Sequence, residues 1–231
     1  MMFMRLPFDI EIRESDAATI ANLLIGTLAI LFVVEAYAEN ITIAAVLILL
    51  CVFADGADGY LARTRGQGAL GIQFDSLADF VSFGLLPSIL VYYAAREAIG
   101  IRSLFMVIFI ISFLYLVSGM LRLARYNVAP KEPVFYGLPI TAGGLIIALY
   151  IITGLPSAGL LIIALILAGL MISDFKYPKV RNTLTLTVVA GLLLFILILY
   201  AVGSGYATVS LVLLLLTIVY VLSPLYRSYF R

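Results

Sequence analysis

The stretch DGADGYLAR (residues 55–63), followed by GIQFDSLAD (residues 71–79), decides how this chain is read. Four of the chain's 13 acidic residues, Asp55, Asp58, Asp75 and Asp79, stand here between apolar runs long enough to cross a bilayer. An isolated charge in so apolar a setting is too costly to keep, so these carboxylates must be paired, protonated or bound to cations. That demand makes the stretch the candidate site.

The surrounding composition is that of a membrane protein. Of 231 residues, 64% are hydrophobic and 12% charged, and the mean hydropathy is +1.18. Apolar runs at 18–37, 41–62, 73–95, 102–124, 137–154, 158–173, 183–203 and 206–223 predict an all-α, polytopic integral membrane helical bundle of about eight transmembrane helices. The fifth and sixth runs are short and separated only by Gly154-Leu-Pro156, which predicts a tight hairpin or a pair that does not fully cross. One transmembrane catalytic domain is expected over 1–231, with residues 1–16 at the membrane surface and 17–231 in the bundle. Residues 1–14 do not resemble a cleaved signal, and Ser15 or Asp16 can cap the first helix. Asn22 is a polar residue inside the first span.

A net charge of +1, with no basic stripe, argues against nucleic acid. The single cysteine, Cys51, lies in an apolar run and excludes a disulfide within the chain. With no histidine present, the commonest general base is missing, and any catalysis must run on aspartate. Lysines and arginines alternate in density from loop to loop. With the N-terminus inside, Arg5, Arg13, Arg63, Arg65, Arg122, Arg125, Lys131, Lys176, Lys179, Arg181, Arg227 and Arg231 face the cytoplasm, and only Arg96 and Arg102 face out. This predicts that both termini and the aspartate stretch lie on the cytoplasmic side of the cell membrane. Residues 41–54 span about 21 Å of helix, which carries Asp55 past mid-membrane toward the inner leaflet.

Asp55 and Asp58 are three residues apart and Asp75 and Asp79 four apart, so each pair lies on one face of its helix. At about 100° per residue, Asp55, Gly59 and Ala62 share one sector, and Gly71, Asp75 and Asp79 another. Oxygen ligands without histidine or thiolate favour magnesium or manganese over zinc. Gly59 and Ala62 let a ligand approach the backbone, and Arg63 supplies a planar fork for a phosphate oxygen. Taken singly, such features are ordinary: an interfacial aspartate, small residues for helix packing, an inner-boundary arginine. In this spacing they describe a diphosphate site.

The pattern Asp55-x-x-Asp58-Gly59-x-x-Ala62-Arg63, then Gly71-x-x-x-Asp75-x-x-x-Asp79, resembles the signature of the CDP-alcohol phosphotransferase family. The resemblance implies a six-helix core with additions, a homodimer, and an active site open to the cytoplasm. It implies two divalent ions, Mg2+ or Mn2+, on Asp55, Asp58, Asp75 and Asp79. It also implies a CDP moiety lying against Asp58, Gly59, Ala62, Arg63 and Gly71. The reaction would displace CMP from a CDP-linked lipid by an alcohol, with Asp79 as base, being the last carboxylate and nearest the open side. Further stretches, DSLADFVSFG (75–84) with Pro87, RLARYN (122–127) and FYGLP (135–139), are similar to the phosphatidylserine synthase branch, and the resemblance weakens after about residue 145.

Serine presents a carboxylate and an ammonium group, so its pocket needs an arginine and an acceptor. Arg122, Arg125, Tyr126 and Asn127 can supply both, or can form an ordinary positive-inside helix end. Lys131 and Glu132 either gate the acceptor or face water, and Asn22 either reaches the CDP moiety or makes an interhelical hydrogen bond. Rival acceptors are glycerol 3-phosphate and inositol phosphate, whose dianionic phosphate would need a further basic cluster. More distant rivals are a cation-coupled transporter, with acids strung through several spans, and a non-catalytic membrane scaffold.

Overall fold

The computed structural model describes residues 13–35, 38–66, 70–128, 134–179 and 182–229. The expected surface segment before residue 13, and Lys131, Glu132 and Arg181, lie outside these. Among the described residues the regular structure is helical apart from one short two-stranded antiparallel sheet. In order it runs α1 (Glu14–Val34), α2 (Ala38–Arg65), α3 (Gly71–Asp79), a π-helical turn (Phe80–Leu85), α4 (Leu86–Ile99), a 3-10 turn (Arg102–Leu104) and α5 (Phe105–Val128). It continues with β1 (Val134–Tyr136), α6 (Ile140–Ile152), α7 (Gly159–Ile172), β2 (Lys176–Pro178), α8 (Thr183–Val202) and α9 (Tyr206–Tyr229).

Among the described residues each expected apolar run contains a helix, and six of these helices are long and apolar enough to cross a membrane. The other two, α6 and α7, have 13 and 14 residues, or about 20 Å each against a hydrocarbon core of about 30 Å. They form the tight hairpin expected at Gly154, which has φ +70°, and the Tyr150 hydroxyl closes the turn by donating to the Pro156 carbonyl at 2.9 Å. A short helix is tolerated here because α6 sits in the middle of the protein, where nine of its residues are buried. The irregular backbone leading into it is satisfied by protein partners: Gly137 N–H donates to Phe175 and Leu138 N–H to Leu170.

The core runs through Ala29, Ala45, Ile48, Leu49, Phe83, Leu90, Tyr115 and Ile147, and joins α1, α2, the π turn, α4, α5 and α6. Glycine permits the closest approaches: a side chain at Gly26 would collide with Ser82 on the π turn. The turn itself has a local cause. Pro87 has no N–H to offer the carbonyl four residues back, that of Phe83, and Tyr115 on α5 supplies the missing donor at 3.0 Å. Helix α1 begins at Glu14 rather than after a Ser15 or Asp16 cap, and Asp16, in its first turn, accepts the Arg13 N–H at 2.8 Å. In contrast to these packed helices, α8 buries little beyond Leu193 and Ile196.

Candidate active site

Helix α2 ends at Arg65, and Gly66 takes φ +85°, a left-handed conformation that favours glycine and turns the chain toward α3. Arg65 is ion-paired with Glu14, which ties the end of α2 to the start of α1. The acidic faces of α2 and α3 meet beside α1. Ligand oxygens of Asp55, Asp75 and Asp79 all lie within 4.8 Å of one another. Asp58, the fourth carboxylate, is not in that group. It is buried and accepts a hydrogen bond from the Thr19 hydroxyl on α1, yet its charge still acts on the other three.

The depth of these acids differs from expectation. Asp55 and Asp75 are half-buried, whereas Asp79 is only 7% exposed. Asp79 is therefore the least open carboxylate of the three, because α3 runs inward and its second turn lies deeper than its first. One Asp79 oxygen, Oδ1, is buried without any hydrogen-bond partner. The counter-charge is Arg122 on α5, also 7% exposed, whose guanidinium acts on Asp55, Asp75 and Asp79. Its ring partners are Tyr126 and Phe135, each 5.4 Å away. One guanidinium cannot balance three clustered carboxylates, and with Asp79 Oδ1 unpartnered the all-oxygen donor set fits hard divalent cations. Asp55, Asp75 and Asp79 would hold such ions, with Asp58 beside them.

Gly59 lies next to Arg63 along α2: a Cβ there would stand 3.4 Å from the Arg63 guanidinium and meet nothing else within 4 Å. Arg63 is exposed, Ala62 half-buried and Gly71 buried at the start of α3. The four acceptor candidates part company. Arg122 faces the acids, and Tyr126 packs on Phe135 with ring centroids 5.5 Å apart. Asn127 donates to Ser76 Oγ at 2.9 Å and so braces α3 next to Asp75. Arg125 turns away to the end of α7, donating to the Ser173 carbonyl at 2.8 Å and to Asp174 at 3.2 Å.

Asn22 is buried on α1. Its backbone carbonyl accepts from the Ser82 hydroxyl at 3.1 Å and the Cys51 thiol at 3.7 Å, and its side-chain oxygen is unpartnered. Three contributors were missed in the sequence. Thr19 carries a readable signal, since Asp16, Thr19 and Asn22 recur at intervals of three and share a helix face. Phe135 stands in FYGLP and Lys179 among the inner-side cations, but their meeting carries no sequence signal, since it depends on β1 pairing antiparallel with β2 (Val134↔Pro178, Phe135↔Tyr177, Tyr136↔Lys176), which puts the Lys179 ammonium 4.8 Å from the Phe135 ring. The FYGLP stretch has a structural reason as well: Gly137 has φ +75°, and a side chain there would strike the Met171 carbonyl.

Several known proteins resemble this chain over most of its length. The CDP-diacylglycerol–serine O-phosphatidyltransferase of Methanocaldococcus jannaschii is 33% identical over 184 residues, covering 76% of this chain and 79% of that protein. The archaetidylserine synthase of Methanothermobacter thermautotrophicus is 35% identical over 172 residues, 71% of this chain and 69% of that protein. A CDP-diacylglycerol–serine O-phosphatidyltransferase of Bacillus subtilis is 33% identical over 169 residues, 71% of this chain and 89% of its own length. The family model for CDP-alcohol phosphatidyltransferase matches residues 15–172, from the first turn of α1 to the end of α7, and this membrane-embedded enzyme belongs to that family.

Proposed function

We propose that the protein transfers a phosphatidyl or archaetidyl group from a CDP-linked lipid to the hydroxyl of L-serine and releases CMP. The observation that carries this reading is the meeting of Asp55, Asp75 and Asp79 with one buried arginine, Arg122. Divalent ions held by these aspartates and Asp58 would neutralise the diphosphate and the charge that develops on CMP as it leaves. Gly59, Ala62 and Gly71 offer a backbone shelf for the nucleotide, and Arg63 a fork for a phosphate oxygen. The serine oxygen forms a bond to the lipid-bearing phosphorus as the bond from that phosphorus to the CMP oxygen breaks. Asp79 takes the serine hydroxyl proton, which need move only as the new bond forms, so that a carboxylate shared with a metal still serves as base.

The names of the relatives support serine as the acceptor. We further propose one catalytic domain, a homodimer, and a site that opens to the cytoplasm. The orientation is supported by Arg63, Arg65, Arg122, Arg125, Lys176 and Lys179 gathering at the aspartate end, with Arg96 and Arg102 at the other. A cation-coupled transporter fits less well, because the described acids of the site collect at one end instead of marking a path.

The test is to give purified protein CDP-diacylglycerol or CDP-archaeol together with labelled serine, glycerol 3-phosphate or inositol phosphate. Label should enter lipid from serine alone, and turnover with inositol phosphate but none with serine would overturn the assignment.

A further inference from the structure

The transfer chemistry leaves the polar face of α1 unexplained. Ser15, Asp16, Thr19 and Asn22 share one side of an otherwise apolar membrane helix, and all four are buried. Buried polar groups on such a helix mark function or specific pairing, since hydrocarbon offers them nothing. Thr19 is the residue through which this face reaches the acids: its Oγ1 contacts the Asp58 carboxylate oxygen Oδ2. The same Oγ1 stands 3.2 Å from the Ser15 carbonyl, and a hydroxyl has one hydrogen to give, so the two acceptors compete for it. Asp16 sharpens the competition. One of its oxygens accepts the Arg13 N–H, the other is buried without a partner, and its negative charge bears on Asp58.

We propose that Thr19 is a positioning residue for Asp58: by giving its hydrogen to Oδ2 it fixes the orientation of the carboxylate and leaves the other oxygen for a cation shared with the Asp55, Asp75 and Asp79 group. This rests on the metal-dependent reading above. It explains why Asp58 stands apart from the other three acids while its charge still reaches them.

The test is a Mn2+ titration read by electron paramagnetic resonance on the purified full-length protein, without substrate. Thr19→Val keeps the side-chain shape and removes the hydroxyl, and Thr19→Ala checks the result in case the valine variant does not fold. Either should raise the Mn2+ dissociation constant about tenfold, the scale of one hydrogen bond to a charged group. Thr19→Ser should stay within about twofold of the wild type. Asp58→Asn combined with Thr19→Val should bind no more weakly than Asp58→Asn alone, because Thr19 acts through Asp58. Unchanged Mn2+ binding in the valine and alanine variants, failure of serine to rescue, or a full additional tenfold loss in the double variant would each overturn the proposal. So would a wild type that binds no Mn2+. Wild-type protein that binds Mn2+ but transfers nothing to serine would instead overturn the proposed function, while the titration still judges Thr19.

Discussion

The span Gly71–Ile99 and the span Thr183–Val202 are both membrane helices, yet most of the first is buried in the protein and almost none of the second is. The buried one is also the less apolar, since it carries Asp75, Asp79, Ser82, Ser88 and a π turn, whereas α8 carries no charged residue and, beyond three threonines near its start and Tyr200 near its end, is built of aliphatic residues, phenylalanine and glycine. A soluble protein would sort its residues the other way. In a bilayer the solvent is hydrocarbon, so the most apolar helix is free to face outward, and polar groups are retained only where other helices satisfy them. Region by region, then, polarity marks where the protein has something to hold.

Substitutions should divide along that line. The largest effect should come at Asp79: Asp79→Asn should lower CMP release by about a thousandfold while leaving the elution profile in detergent unchanged. Near-normal turnover in that variant would break the link between the buried acid and the chemistry. Arg122→Met should remove the counter-charge from the three carboxylates and the ring stacking on Tyr126 and Phe135, with a loss of about 10²-fold in turnover measured at saturating serine and metal.

Smaller effects are expected on stability. Tyr115→Phe should cost about 1–3 kcal/mol, because the Phe83 carbonyl that Pro87 cannot serve would then be buried without a donor. Thermal unfolding in detergent reads this directly. Leu194→Ala on α8, a residue 51% exposed in the protein and facing lipid, should stay within about 0.5 kcal/mol. A large loss at Leu194 would show that α8 is covered by a partner instead.

These positions also show what the chain's order of residues could disclose. The aspartate spacing was legible because helical period alone puts Asp55 with Asp58 and Asp75 with Asp79, and the spans were legible because apolar runs need no partner to be recognised. Relations between distant segments were not. The π turn depends on Tyr115, which approaches Phe83 from another helix, and the pairing of Asp58 with Thr19 joins residues 39 apart. The depth of Asp79 follows from the direction in which α3 enters the bundle. Arg122 and Arg125 look equivalent in RLARYN, since at a spacing of three they lie only about 60° apart on one helix face, and only the fold decides which of them meets the acids. The shortness of α6 and α7 was visible in their apolar runs, but that α6 would be enclosed by protein was not.

The measurement that bears most directly on the central claim is CMP release from a CDP-linked lipid by the purified protein, followed with and without serine and with and without a divalent metal. The account predicts release that requires both serine and Mg2+ or Mn2+, is abolished by chelation, returns on adding the metal back, and matches serine-bearing lipid mole for mole. Release that persists after complete chelation, or that ignores serine, would contradict it.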